Sequence, residues 1–396
     1  MPQTITARRL ITHEATLDFP VLTIDHGQIT TIHTDPTALA DENTTLTAAF
    51  LDIHTHGALN HDVMTASPSD LSELQSFLAN HGVAHYLPTT VTASIDETLY
   101  ALDNLATQIE STTPTNEATP IGIHLEGPFL SHAKRGVHAP DKLQPPSIDL
   151  FNRFQAAARN HIKLLTIAPE PGAPGPDSRT RVSTEPQPSA LDLIHHATTL
   201  GVRVSLGHSN ATAAQTLAAI AAGATSATHT FNAMRPLDHR EPGILGTVLT
   251  TDRLYAELIC DGIHVAPALV QLWLRAKGLT HAILVTDSMS ATGMSDGNYT
   301  LAGQPVTVAD HKAVLTDSPT TLAGSILTMD AAVANLQTFT NATLGQAIQL
   351  ASHNPAAMLG QPALTAIAPG SPANLNRFNA AGHLTATYLS GEKLKS

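Results

Sequence analysis

Six residues of the kinds that bind metal ions or move protons each follow or close an apolar stretch of this sequence. They are His54, His56, Glu126, His208, His229 and Asp287. A divalent ion such as Zn²⁺ takes neutral imidazole and carboxylate ligands and leaves one position open for water. The pKa of that water falls to about 7, so that hydroxide forms at neutral pH. A nearby carboxylate can accept a proton and pass it to the leaving group, which suits Asp287. These residue types predict metal-dependent hydrolysis with Asp287 as general base and acid.

Each of these residues, taken singly, also has an ordinary structural explanation. The chain has 22 histidines among 396 residues, so about one His-x-His such as His54-Thr55-His56 is expected by chance. Glu126 could lie in a solvated loop, and His208 could simply stand beside the start of a helix. His229 could be a satisfied core histidine, and Asp287 could cap the next segment. The case for a site therefore depends on where these residues lie in the fold.

Eight apolar, β-rich runs alternate with helical stretches, and this pattern predicts a parallel sheet. The runs are Phe50–His54, Val83–Pro88, Ile121–Glu126, His161–Ala168, Val202–Gly207, Ser226–His229, Leu254–Cys260 and Ala282–Thr286. Eight parallel strands with intervening helices close a (β/α)₈ barrel, whose catalytic groups lie at the carboxyl ends of the strands. The candidates that stand at those ends are His54, Glu126, His208, His229 and Asp287. A barrel would therefore bring them together.

Short β-like segments flank the predicted barrel at both ends of the chain. They are Thr4–Leu10, Val21–Ile24, Ile29–His33, Leu375–Phe378 and Leu384–Leu389. We predict an α/β fold in which residues 49–362 form a TIM-type barrel. Residues 1–48 and 363–396 are expected to pair into a small β-sandwich domain. The stretch 290–325 is predicted to be an inserted β-rich or loop segment, and the Pro-rich stretch 169–188 an exposed loop.

Helix boundaries and the segments after the eighth strand can also be predicted. Ser67 before Pro68 suggests a capped helix that ends near Gly82, and Ser94 with Glu97 suggests a capping box. Two further helices are expected near Met329–Phe339 and Leu344–Ala351.

The composition argues against nucleic acid and membranes as partners. Lys and Arg number 20 against 33 Asp and Glu, and the resulting net charge of −13 repels anionic surfaces. The single cysteine, Cys260, allows no internal disulfide and fits a reducing compartment. The N-terminus lacks the apolar run of a signal peptide, and no stretch approaches the roughly 18 apolar residues of a membrane span. We expect a cytoplasmic protein with a local basic pocket for any anionic ligand.

The motifs around the candidate residues resemble the amidohydrolase superfamily and, within it, the N-acetylglucosamine-6-phosphate deacetylases. The likeness lies in Leu51–Gly57, His124–Phe129, Lys134–His138, Gly207–Ala211, His229–Met234, Arg240–Gly243, Asp261–His264, Thr286–Asp287, Leu322–Ser325 and Ser352–Ala356. It extends from about residue 50 to about residue 370. The resemblance implies a barrel enzyme that removes acetate from the 2-acetamido group of a sugar 6-phosphate and gives glucosamine 6-phosphate.

The resemblance also implies a role for each residue of the site. Glu126, His208 and His229 would hold one metal ion, Asp287 would be the acid and base, and His138 would polarise the acetamide carbonyl. Sugar and phosphate would be bound by Asn232, the backbone of Ala233, Arg240 and His264. The resemblance implies that Arg240 comes from the other subunit of a homodimer. From the residues alone, a surface salt bridge is the simpler interpretation of Arg240.

Some members of this family replace the first two histidines and hold a single ion, whereas this chain keeps both His54 and His56. We therefore predict two ions bridged by Glu126, with Zn²⁺ as the first choice and Fe²⁺, Co²⁺ or Mn²⁺ as alternatives. The galactosamine epimer is the nearest alternative substrate. Cyclic-amide hydrolysis or nucleobase deamination is disfavoured, because a neutral base has no use for a phosphate pocket. A non-enzymatic binding protein is disfavoured because no ligand is missing.

Overall fold

The computed structural model describes residues 2–38, 43–111, 116–170 and 189–394. Within these ranges, no helix combines the length and the apolar character needed to cross a membrane. The predicted loop 169–188 lies, from residue 171 onward, outside the described residues.

The N-terminal segment supplies short strands to two different sheets. They are β1 (Gln3–Thr6), β2 (Arg9–Ile11), β3 (Thr16–Asp18), β4 (Pro20–Asp25), β5 (Gln28–Thr34) and β6 (Thr45–Ala48). Strands β1, β4 and β5 form an antiparallel sheet, and the other three belong to a sheet that the C-terminus completes. The sequence analysis wrongly merged β1 and β2 into one run and missed β3 and β6, because strands of three or four residues carry almost no periodicity.

A parallel barrel follows, with its helices between the strands. Its elements are β7 (Phe50–Thr55), the hairpin β8 (Gly57–Ala58) and β9 (His61–Asp62), α1 (Pro68–Asn80), β10 (Val83–Thr90), α2 (Ile95–Ser111), β11 (Thr119–Pro120), β12 (Ile123–Glu126), α3 (Ile148–Ala157), β13 (Ile162–Ile167), α4 (Ala190–Thr199), β14 (Arg203–Leu206), α5 (Ala213–Ala222), β15 (Ser226–Ala227), α6 (Gly243–Thr250), β16 (Tyr255–Ile259), α7 (Pro267–His281) and β17 (Ala282–Val285). Eight of these strands pair in parallel in the order β7, β10 and β12 to β17.

The barrel closes between its first and last strands just beyond their carboxyl ends. Thr55 and Ser288 form a parallel bridge there, and the amide of Asp287 donates to the carbonyl of His54 at 2.8 Å. The predicted (β/α)₈ architecture is confirmed.

Local sequence explains where the first helices begin. The Ser67 hydroxyl accepts a hydrogen bond from the amide of Asp70, whose carboxylate accepts one from the amide of Ser67. Ser94 and Glu97 make the same reciprocal pair at the start of α2. Each pair satisfies two amides that otherwise lack partners at a helix start. Both caps are present as predicted.

The chain after the barrel adds a small sheet, helices and the last strands. These elements are β18 (Gly297–Leu301), β19 (Gln304–Ala309), β20 (Lys312–Leu315), β21 (Ser318–Leu322), α8 (Met329–Thr340), α9 (Leu344–Ile348), a π-helical turn (Gln349–His353), α10 (Asn354–Met358), β22 (Leu375–Phe378), β23 (Leu384–Leu389) and β24 (Glu392–Lys393). Strands β18 to β21 form an antiparallel sheet, so the insert after the eighth barrel strand is β-rich, as expected.

Both ends of the chain contribute to one small β-sandwich. Strands β22, β23 and β24 complete the second sheet in the order β24-β23-β22-β6-β2-β3. Ile5 and Leu22 of the first sheet share a core with Leu46 and Leu375 of the second. The predicted sandwich is therefore confirmed, while the domain boundaries after residues 48 and 362 stay predictions.

Candidate active site

Six of the predicted residues meet at the carboxyl end of the barrel around Glu126. This residue ends β12 and is 3% exposed. Its Oε1 lies 3.3 Å from Nε2 of His208 and 3.2 Å from Nε2 of His229. Its Oε2 lies 3.3 Å from Nε2 of His56 and 3.6 Å from Nε2 of His54. Each carboxylate oxygen therefore faces a different pair of imidazoles.

The side chains form two groups of three potential metal ligands. One group is Glu126, His208 and His229, and the other is His54, His56 and Asp287. The two Nε2 atoms of the first group are 3.0 Å apart, and those of the second are 3.2 Å apart. Two ligands of a tetrahedral ion with bonds of about 2.0–2.1 Å lie about 3.3 Å from each other. Both groups therefore have the donor types and spacing that a divalent ion requires.

Glu126 is buried at an electrostatic cost that a cation would offset. Its Oε1 is buried and has no hydrogen-bond partner among the described residues. A buried carboxylate oxygen left in this state costs several kcal/mol unless a positive charge compensates it. An ion between Glu126, His208 and His229 removes this cost.

The hydrogen bonds made by Nδ1 determine which ring nitrogen of a histidine is free to face Glu126. Nδ1 of His56 lies 2.8 Å from the carbonyl oxygen of Thr89, and Nδ1 of His208 lies 2.9 Å from that of Lys134. A carbonyl oxygen only accepts hydrogen bonds, so both Nδ1 atoms carry the proton. Nε2 of each ring is then free to bind a metal ion.

Burial and the surrounding imidazoles act in opposite directions on both carboxylates. Burial raises the pKa of Glu126, but the charge of His54 opposes burial, and this pKa lies well below its ordinary value. Burial likewise raises the pKa of Asp287, yet His54 and His56 outweigh it and the net pKa is lowered. Both groups are therefore ionised at neutral pH, as a metal ligand and a general base must be.

Three of the six residues that meet around Glu126 have an uncommon backbone conformation. His208, His229 and Asp287 have φ values of 46°, 27° and 50°. The apolar runs place His229 at the end of its predicted strand, and they place His208 and Asp287 directly after theirs. In the structure each lies two residues beyond the last strand residue. Left-handed backbone is uncommon outside glycine, although Asp and His adopt it more often than most residues, and it is concentrated at functional sites.

His138 faces the same centre and presents an N–H group to it. It is 2% exposed, and its Nε2 lies 3.7 Å from Oε2 of Glu126. The amide of Thr92 donates to its Nδ1 at 3.3 Å, so Nδ1 is unprotonated and Nε2 carries the hydrogen. Burial, together with the neighbouring His208, holds the pKa of His138 well below its ordinary value. The ring is therefore a neutral hydrogen-bond donor.

A cleft of about 340 Å³ opens from the metal groups. Its walls include the predicted substrate residues Asn232, Ala233 and His264, and Nδ1 of His264 lies 2.6 Å from Oδ2 of Asp261. Arg240 is exposed, does not line this cleft and makes no ion pair with any described residue. The structure of one chain thus gathers every predicted site residue except Arg240.

Several residues that line the cleft were not assigned a role from the sequence. Lys134 lines the cleft, and β21 contributes Thr320, Thr321 and Leu322 to its wall. The only sequence indication of Lys134 was its place in the motif Lys134–His138.

Comparison with known proteins agrees with this geometry. Residues 45–394 match the Amidohydrolase family. An N-acetylgalactosamine-6-phosphate deacetylase of Escherichia coli O157:H7 is 36% identical, over 99% of both chains. An N-acetylglucosamine-6-phosphate deacetylase of Bacillus subtilis is 36% identical, over 85% of this chain and 83% of the relative.

A solved structure is similar over nearly the whole length. It is a variant of N-acetyl-D-glucosamine-6-phosphate deacetylase from Mycobacterium smegmatis in complex with N-acetyl-D-glucosamine 6-phosphate. It has a TM-score of 0.88 and 32% identity, and the match covers 99% of each chain. The predicted metal-dependent hydrolase of carbon–nitrogen bonds is confirmed at the level of the family. This chain belongs to the amidohydrolase family.

Proposed function

We propose that this chain hydrolyses the acetamide of N-acetylglucosamine 6-phosphate to glucosamine 6-phosphate and acetate. The observation that carries the proposal is the position of Glu126, whose two oxygens face separate histidine pairs beside a cleft that Asn232 and His264 help to line. The names of the relatives supply the substrate class, a phosphorylated amino sugar.

The metal ligands follow from the two donor groups. Glu126, His208 and His229 would hold one divalent ion, and His54, His56 and Asp287 would hold a second. Imidazole and carboxylate ligands suit Zn²⁺, with Fe²⁺, Co²⁺ and Mn²⁺ as alternatives. Bound ions supply a water molecule of lowered pKa and polarise the substrate carbonyl.

Asp287 and His138 carry out the proton transfer and the charge stabilisation. Oδ1 of Asp287 lies 3.1 Å from Nε2 of His56, and the side chain keeps 11% of its surface exposed. Asp287 accepts the proton of the attacking water and then donates it to the departing amine nitrogen. The Nε2–H of His138 donates to the carbonyl oxygen, where negative charge develops.

The sugar phosphate is bound by the residues on the cleft wall. Asn232, the backbone of Ala233 and His264 contact sugar and phosphate, and Lys134 adds a cation to the same wall. Arg240 reaches this site from the neighbouring subunit of a homodimer, which accounts for its exposure in a single chain. A local set of cations is needed because the chain as a whole has a net charge of −13. A cytoplasmic location stays a prediction.

Acetate release by the metal-loaded chain tests the proposal. We expect turnover of N-acetylglucosamine 6-phosphate and a much lower kcat/KM for unphosphorylated N-acetylglucosamine. Equal kcat/KM values with and without phosphate contradict the phosphate pocket, and no acetate release from any amino sugar contradicts the proposed reaction.

N-acetylgalactosamine 6-phosphate is the second candidate substrate. It is favoured by the Escherichia coli relative, which matches this chain over 99% of its length, whereas the Bacillus subtilis relative matches over 85%. The ratio of kcat/KM for the two epimers decides between them. The same assay with both 6-phosphates gives that ratio directly.

A further inference from the structure

A buried carboxylate that belongs to neither metal group lies beneath both of them. Glu257 is in the middle of β16 and is 0% exposed. Its Oε2 lies 3.3 Å from Nδ1 of His54 and accepts a hydrogen bond from the amide of His229 at 3.4 Å. Among the described residues, His54 is its only ion-pair partner, and its Oε1 has no hydrogen-bond partner.

A buried carboxylate in this position lowers the stability of the fold unless a cation bound near His54 compensates its charge. Burial of an ion pair this deep rarely increases stability over an apolar pair of similar volume. A carboxylate that accepts the Nδ1–H of a histidine fixes the ring so that Nε2 faces a metal ion, and it makes that nitrogen a stronger ligand. Nδ1 of His56 and of His208 faces a neutral carbonyl oxygen instead. His54 is thus the histidine with an anionic partner behind it.

We infer that Glu257 is a positioning residue that sets the metal occupancy of the group His54, His56 and Asp287. The inference deepens the proposed function, because it rests on the two-ion site. Glu257 contacts a side chain of this group but only the backbone amide of His229 in the other group. Loss of its charge should therefore weaken one ion selectively.

Zinc binding to the full chain tests this inference without any substrate. Metal content by mass spectrometry and competition with a chelator should show two Zn²⁺ ions on the wild type. Glu257→Gln keeps the shape and an acceptor oxygen but removes the charge. We expect it to weaken one ion by about 10–100-fold and to leave the other unchanged.

Two matched variants separate this effect from a general structural one. Lys277→Gln also removes a buried charge, but the Lys277 ammonium donates to the carbonyls of Val248 and Thr251, outside the site. It should lower the melting temperature without changing zinc affinity. Glu257→Asp keeps the carboxylate but withdraws it from His54 by one methylene, so it should weaken the same ion by less than Glu257→Gln. If Glu257→Gln fails to fold, weakening of that one ion in Glu257→Asp still supports the inference, and unchanged affinity for both ions opposes it.

Three results overturn the inference. They are unchanged affinity for both ions in Glu257→Gln, equal weakening of both ions, and a wild type that binds only one ion. Acetate release by the wild type is measured separately. If the wild type binds two ions but releases no acetate, the proposed substrate is contradicted and the role of Glu257 stands. If the wild type releases acetate with one bound ion, only the role of Glu257 is contradicted.

Discussion

Replacement of Asp287 by asparagine tests the assignment of the proton-transfer group. The variant keeps the shape of the side chain. It also keeps two backbone hydrogen bonds, from the amide of residue 287 to the carbonyl of His54 at 2.8 Å and from the amide of Ser325 to the carbonyl of residue 287 at 2.7 Å. The fold should therefore persist. Removal of a general base typically lowers kcat by about 10²–10⁴-fold, which is about 3–5 kcal/mol of transition-state stabilisation. We expect a fall within this range.

Acetate release at saturating substrate measures this effect, and metal content measured on the same samples shows whether Glu126, His208 and His229 still hold their ion. Asp141→Asn is the matched control, because it makes the same chemical change at a side chain that is 70% exposed. It should leave kcat unaltered. A less than tenfold fall for Asp287→Asn with the metal in place would refute the reasoning, since no general base then acts at this position.

Four further predictions follow from the same structure. His138→Gln should lower kcat by about 10²–10³-fold without loss of metal, as removal of a donor to a developing oxyanion does; an effect mainly on KM would contradict this role. Arg240→Ala should raise KM for the phosphorylated substrate, and mixing it with Asp287→Asn should restore activity through hybrid dimers; no recovery would mean that Arg240 acts within its own chain. Chelation should lower the melting temperature, because two carboxylates and four imidazoles then stay buried without a cation, and added Zn²⁺ should restore it. Identical melting curves with and without chelator would argue against metal binding. Burial lowers the pKa of His85 to about 4, so between pH 6.5 and 4 the unfolded chain binds more protons than the folded one. The free energy of unfolding therefore falls as the pH drops through this window, by at most about 3 kcal/mol. Denaturant unfolding of His85→Phe should show a weaker dependence on pH over the same range.

The barrel and its candidate metal ligands were predictable because two simple periodicities determine their positions. Buried parallel strands appear as continuous apolar runs, and the residues that end those runs share one face of the barrel. Glu126 and His54 were placed correctly at their strands on this basis. The turn of the backbone after β14, β15 and β17 was not predictable, because it depends on hydrogen bonds between neighbouring loops.

The supporting residues could not be predicted because their roles arise from contacts between distant parts of the chain. Thr92 sets the protonation of His138 from 46 residues away. Glu257 contacts His54 across 203 residues, and nothing near it in sequence distinguishes it from an ordinary strand residue. The proposed role of Arg240 requires a second subunit, which one sequence does not specify.

The junction between the first and last barrel strands, β7 and β17, would give a bound ion a structural role as well. His54 belongs to the first barrel strand and Asp287 follows the last. The two strands are joined there by a single bridge, a few backbone hydrogen bonds and side-chain hydrogen bonds such as that from the Thr286 hydroxyl to Asp52. An ion held by His54, His56 and Asp287 cross-links these strands across more than half the chain. Such a cross-link would raise the free energy of local opening between the two strands. If two ions bind as proposed, loss of this one should make opening at this junction more frequent.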